Sequence, residues 1–245
     1  MIKFFRKIRY DLMEKNKTGK YFKYAIGEII LVVIGILIAV QINALYTALK
    51  KRELKTTYTS SLINDLTKDT IQLSARIRIN EDRFLKHNDS LKSIISDPTT
   101  TVNDIKMMGQ NIGIMGLRTL NTYNNNTYRI LISSGNIDLF EEHVIQQIME
   151  LNRLQNAEIG VTEGNRGAYF SIYTNYIEKY NRFEENEAIK NEIWKNVNAI
   201  EHAPVYVSAI NTQRHSVTRY IELTKDVLKK TEELLKTLKS RIDTK

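Results

Sequence analysis

The stretch "YAIGEIILVVIGILIAVQINALY", residues 24–46, limits what this chain can be more than any other. Between Glu28 and Lys50 lie 21 uncharged residues, which as an α-helix cover roughly 31 Å, about one hydrocarbon thickness of a bilayer. From Ile29 to Val40 no polar residue occurs, so a helix here is apolar on every face, whereas a surface helix of a soluble protein is apolar on one stripe. The expectation is a transmembrane helix over residues 25–47. A cleaved signal peptide is the alternative. The apolar core is longer than a usual signal core, its basic head is long, and no A-x-A site follows, which together favour an uncleaved signal anchor.

Charge orients that anchor. The chain carries a formal +8, which spread over a surface would suggest a nucleic-acid partner. Residues 1–24 hold eight Lys or Arg against Asp11 and Glu14, so +6 is concentrated there and only +2 is left for the remaining 221 residues. A nearly neutral body argues against a phosphate-binding surface and so against nucleic acid. The basic head predicts a cytoplasmic N-terminus, despite the second cluster of Lys50, Lys51, Arg52 and Lys55 beyond the span. The inner membrane, with the rest of the chain periplasmic, is the expected location. Phe4, Phe5, Ile8, Leu12 and Met13 share a helical face beside basic residues, which suits a helix lying on an anionic leaflet, with a solvated basic tail as the alternative. Tyr21, Phe22 and Tyr24 suit an interfacial aromatic belt. Glu28 sits one turn into the span and can reach headgroups, Lys20 or Lys23; an intramembrane proton or ion site is the other reading. Gly35, Ala39 and Asn43 recur every four residues and form a candidate stripe for helix association, through which two copies could pair.

The opening residues also carry a resemblance. An "FRKIR" head (5–9), then "YAIGEI" (24–29), "VVIGILIA" (32–39) and a closing "QIN" (41–43) are similar to the N-terminal signature of an uncharacterised family of Bacteroidota envelope proteins, the domain-of-unknown-function family numbered 6090. "TYRILISSGNIDLF" (127–140) resembles a second motif of that family, and members commonly continue "QIN" with Asn-Trp where this chain has Ala44, Leu45 and Tyr46. The resemblance implies a single-pass inner-membrane protein with a helical periplasmic region. It implies no activity.

Beyond the span the pattern is helical throughout. Two prolines and ten glycines in 245 residues are few, which disfavours a turn-rich β architecture. The first helix is expected to continue to about Asp97, where Pro98 ends it. Leu62, Leu73, Phe84 and Ile95 are eleven apart, with Leu66 and Ile77 four residues after the first two, a spacing that keeps a stripe almost straight. Near the C-terminus Ile210, Val217, Thr224, Thr231 and Leu238 are seven apart, as are Ile221, Leu228, Leu235 and Ile242, a heptad pattern. The two stripes should pack together. Between them, Thr101 and Asp104 form a capping box for a helix over 102–116 whose Gly109, Gly113 and Gly116 read as a close-packing face or a kink. Residues 121–134 should form a helix stopped at Gly135. A long helix should follow from after Asp138 to about Phe183, interrupted or closely crossed at "GVTEGNRG" (160–167), and Pro204 should precede the last helix. The predicted architecture is all-α: a basic amphipathic segment over 1–24, the anchor over 25–47, and an antiparallel, coiled-coil-like helical domain over 48–245.

No catalytic constellation emerges. His87, His143, His202 and His215 have no metal-binding spacing, cysteine is absent, and "GVTEGNRG" lacks the Lys-Ser/Thr of a phosphate loop. Neither catalytic nor metal nor cofactor-binding residues are assigned, and no cofactor is expected. Tyr169, Tyr173, Tyr176, Tyr180 and Phe183, spaced 4-3-4-3, form one continuous aromatic face. It reads as bundle core or as a binding face for a sugar, peptide or partner helix. The leading reading is a membrane-anchored interaction or sensor-like protein with envelope partners. An envelope enzyme or ligand-binding protein using the tyrosine-lined helix is the alternative.

Overall fold

The computed structural model describes Tyr10 and residues 18–117, 122–182 and 185–241. The amphipathic face of Phe4, Phe5, Ile8, Leu12 and Met13 lies outside the described residues, as do Phe183, Ile242 and the side chains of Lys20, Tyr21 and Tyr24. Among the described residues there are helices and no strand. In order these are α1 (Thr18–Ile79), a π-helical turn (Asn80–Leu85), α2 (Lys86–Ile95), α3 (Val102–Asn111), α4 (Asn126–Ser133), a 3-10 turn (Asn136–Leu139), α5 (Glu142–Lys179), α6 (Glu187–Lys195) and α7 (Ala199–Ser240). The chain divides into two compact units, Met1–Thr57 and Tyr58–Lys245.

In the first unit, every side chain from Ile29 to Val40 is exposed, and the apolar window of the helix has none of its residues buried. The second unit is a bundle built from the rest of α1 with α2, α5 and α7. Its α1–α2 seam follows the expected eleven-residue spacing as far as Phe84: Leu62, Leu66, Leu73, Ile77 and Phe84 are buried, whereas Ile95 is only half-buried and Leu91 is the buried residue at that end. Four polar residues, Thr59, Asp69, Asn80 and Asn88, share that buried stripe. On α7 all five members of the heptad line Ile210, Val217, Thr224, Thr231 and Leu238 are buried. The second seam differs from the expected one. Tyr206, Gln213, Tyr220, Val227 and Leu234, also seven apart, are buried, whereas Leu228 and Leu235 are only half-buried beside it. Three of those five residues are Tyr or Gln, so the seam carries little apolar signal in the sequence.

Val144, Ile148 and Leu151 near the start of α5 pack with Leu234 and Leu238 near the end of α7, while Tyr176 at the end of α5 packs with Tyr206 near the start of α7. The two helices are therefore antiparallel. Leu62 shares the first of these clusters and Leu91 the second, so α1 and α2 also run against α7. The long stripes do meet in one bundle.

Five local expectations need correction. The helix expected over 121–134 spans only Asn126–Ser133, because residues 122–125 are held as a non-helical crossover. The helix at 102–116 stops at Asn111, because Gly113 takes a left-handed φ of 68° that ends it; its capping box between Thr101 and Asp104 forms as expected. The glycines of 160–167 neither kink nor closely cross anything: α5 is unbroken for 38 residues, and a Cβ on Gly160, Gly164 or Gly167 would meet no atom within 4 Å. Pro204 lies inside α7, which starts five residues earlier behind the Asn198 cap; so near the N-terminus the proline removes one backbone hydrogen bond and its exposed ring is tolerated. Helix α6, nine residues long, was not foreseen; Asn186 caps it through the Ile189 N–H, and buried Trp194 anchors it.

Candidate functional site

The middle of the bundle is polar. Glu158 on α5 is fully buried, and its Oε2 accepts a hydrogen bond from the Tyr123 hydroxyl at 2.9 Å. Thr224 of α7 donates to Oε1 of the same carboxylate at 3.4 Å. Burial pushes the Glu158 carboxyl above the usual range despite these donors and the nearby Arg76. The Arg76 guanidinium lies 5.4 Å from the centre of the Tyr123 ring and donates to the Thr122 carbonyl at 3.0 Å. Two helical turns back, Asp69 Oδ1 accepts from the Asn124 N–H at 2.9 Å and from its side-chain amide at 2.7 Å. A further turn back, Asp65 Oδ2 accepts from the Thr127 N–H at 3.2 Å and its hydroxyl at 2.6 Å. Burial also raises the Asp69 carboxyl, whose two bonds from Asn124 oppose the shift only in part.

The crossover segment "TYNNNT" (122–127) is thus pinned at Thr122, Tyr123, Asn124 and Thr127 by four ionisable side chains from two helices. None of Asp65, Asp69, Arg76 or Glu158 stands out in the sequence, because charged residues along a helix ordinarily face water. The available signal was positional: Asp69 falls on the eleven-residue stripe between Leu66 and Leu73. Asp69 borders a cavity of about 30 Å³, room for a water molecule and not for a substrate.

The tyrosine face of α5 turns inward. Tyr169, Tyr176 and Tyr180 are buried and Tyr173 is half-buried, so these four of the five candidate binding residues pack into the bundle. Tyr169 donates to the Met115 carbonyl at 2.5 Å. Around His202, which is also fully buried, stand Tyr176, Tyr180, Trp194 and Tyr206, with ring centres 4.8–5.7 Å away. The Tyr176 hydroxyl and His202 Nε2 are 2.8 Å apart. His202 Nδ1 and the Tyr180 hydroxyl are buried without a partner. Burial, with a contribution from Lys106, lowers the His202 pKa to about 4, so the imidazole is neutral. Gly109 is required here: a Cβ would lie 2.4 Å from His202 ring atoms. This is the close-packing role its position suggested.

The remaining candidates are placed apart from these. Gly35, Ala39 and Asn43 are exposed on α1, and a Cβ on Gly35 would meet nothing within 4 Å. His143 is exposed and its Nε2 lies 2.7 Å from Arg241 Nη2. Among the described residues no group of three or more His, Cys, Asp or Glu could hold a metal ion. Asn88, a formal glycosylation acceptor, is buried and donates to the Ile210 carbonyl at 2.8 Å and to Gln213 at 3.1 Å, which leaves its amide inaccessible.

A model described as a family of unknown function (DUF6090) matches residues 28–156. The chain belongs to that family. No curated protein and no solved structure matches it. The DUF6090 match takes in the apolar part of α1, the Asp65–Asp69–Arg76 row and the crossover it pins, and it ends within α5 just before Glu158. The aromatic cluster around His202 lies beyond it.

Proposed function

We propose that this DUF6090 chain is a single-pass membrane protein. Residues 25–47 anchor it with the N-terminus in the cytoplasm, and the helical domain over 48–245 stands in the periplasm, where it serves as an interaction or sensor-like module for envelope partners. The observation that carries the reading is the stretch Ile29–Val40, apolar and exposed on every face of a helix. Water would disfavour that surface strongly, whereas a bilayer would not.

The basic head supports the orientation. A binding role rather than catalysis is supported by what the ionisable core groups do: Glu158 and His202 have no exposed surface, and Asp65 and Asp69 are engaged in holding a backbone segment. Gly35, Ala39 and Asn43 give two copies of the span a close-contact stripe, which would let a cytoplasmic tail of about 24 residues respond to events outside by pairing.

Topology is tested by fusing reporters after Lys245. One that works only in the periplasm should be active; activity of a cytoplasm-only reporter would overturn the orientation. Pairing is tested by crosslinking the full chain in membranes. Gly35→Leu with Ala39→Leu should reduce the dimer, and Val33→Leu should leave it unchanged; equal yields would reduce the helix to an anchor.

A further inference from the structure

Beside the π-helical turn lies a cleft of about 460 Å³, within the size range of ligand sites. Arg76, Arg78, Arg83, Asp82, Asn80 and Phe84 are among the residues that line it. We propose that this cleft binds a small organic anion, a carboxylate or phosphate ester carrying an apolar body.

Charge is the first reason. Three arginines and one carboxylate, Asp82, line the cleft, and the two acidic side chains of the turn are each paired with a lysine. Asp82 pairs with Lys86 at 2.5 Å, and Glu81 with Lys225 at 2.7 Å. Arg78 and Arg83 are exposed and form no ion pair within 4 Å among the described residues. Guanidinium groups suit carboxylate and phosphate oxygens because their donors are arranged as a planar fork.

Preorganisation is the second reason. Arg76 donates to the Thr122 carbonyl at 3.0 Å and lies against the Tyr123 ring, so one of the three guanidinium groups is already held in place for a ligand.

The apolar part of the ligand follows from the rest of the lining. Phe84 and Ile79 supply aromatic and aliphatic surface, and Arg83 already lies 5.9 Å from the Phe84 ring centre. The backbone contributes as well. A π turn is uncommon within α-helices and frequent at functional sites, because the extra residue re-aims the side chains that follow it. Here it lies between Arg76 and Lys86 and carries Asn80, Arg83 and Phe84.

The test is calorimetric titration of the full chain in a non-ionic detergent with four probes: phenyl phosphate, benzoate, inorganic phosphate and benzylammonium. Phenyl phosphate or benzoate should bind, the tighter of the two identifying the head group. Inorganic phosphate should bind about tenfold more weakly or not at all, and benzylammonium should not bind. Arg78→Gln with Arg83→Gln changes only exposed side chains and should weaken binding about tenfold or more. The proposal is overturned if neither organic anion binds at millimolar concentration, if inorganic phosphate or benzylammonium binds as well as they do, or if the double variant binds like the parent.

Discussion

At one end of the bundle Leu62, Leu66, Leu131, Leu151 and Leu238 pack an aliphatic core, and the carboxylates nearby each accept hydrogen bonds from the crossover segment. At the other end Tyr176, Tyr180, Trp194 and Tyr206 enclose His202, and two buried polar atoms have no partner. The first end relies on interchangeable packing with charges placed at its margin. The second relies on rings of fixed shape around one neutral imidazole. The two ends should therefore respond to acid in opposite directions. His202 refuses a proton in the folded state that the unfolded chain accepts, whereas Asp69 and Glu158 accept a proton more readily when folded.

Removing the anchor of the aromatic end should have the largest effect. Trp194 is almost fully buried and donates to the Asn181 carbonyl at 3.0 Å; Trp194→Ala should cost about 3–5 kcal/mol in denaturant unfolding, and local exchange should show α6 released first. A loss spread evenly over both ends would mean that they unfold as one.

Acid comes next. His202 has its pKa lowered to about 4 from an ordinary 6.5, so its contribution to stability is undiminished above about pH 6.5 and is lost as the pH falls toward about 4, by about 3 kcal/mol in all. Asp69 and Glu158, raised in the folded state, work the other way: the same acidification stabilises the fold as it passes through their folded values. Thermal unfolding across this range should show a net decline that is smaller in His202→Phe and larger in Glu158→Gln. The same decline in all three would remove the contrast.

Two glycines sharpen it further. Gly109→Ala should destabilise by about 1–3 kcal/mol, because its Cβ would overlap the His202 ring. Gly164→Ala, on the open face of α5, should stabilise by up to about 1 kcal/mol. A loss at Gly164 would indicate that something covers that face.

How much of this was legible depends on whether a residue's chemistry agrees with its position. The α1–α2 stripe could be read because Leu62, Leu66, Leu73 and Phe84 are apolar where the spacing places the core. Half of the α7 seam could be read for the same reason. Its other half was hidden, since Tyr206 and Gln213 look like surface residues until hydrogen bonds to the Gly113 and Met115 carbonyls, 3.1 and 2.6 Å, satisfy them inside. Helix α6 was missed because nine residues are too few for periodicity to stand out, and a helix so short is marginal without tertiary packing. The site residues were the least legible. Asp65, Asp69 and Glu158 act through partners 35–62 positions away in the chain, and no local pattern records that.

The unequal periods of the two seams have a consequence for alignment. A stripe that repeats every eleven residues on α1–α2 faces one that repeats every seven on α7. Like the two scales of a vernier, they coincide at only one setting. In an ordinary coiled coil, sliding one helix by a heptad restores an equivalent set of contacts. Here such a slip would move Asn88 away from Gln213, whose side chain accepts from it at 3.1 Å. The pairing is thus addressed rather than merely adhesive, and axial sliding of α7 along α1 is closed to this bundle as a way of changing shape.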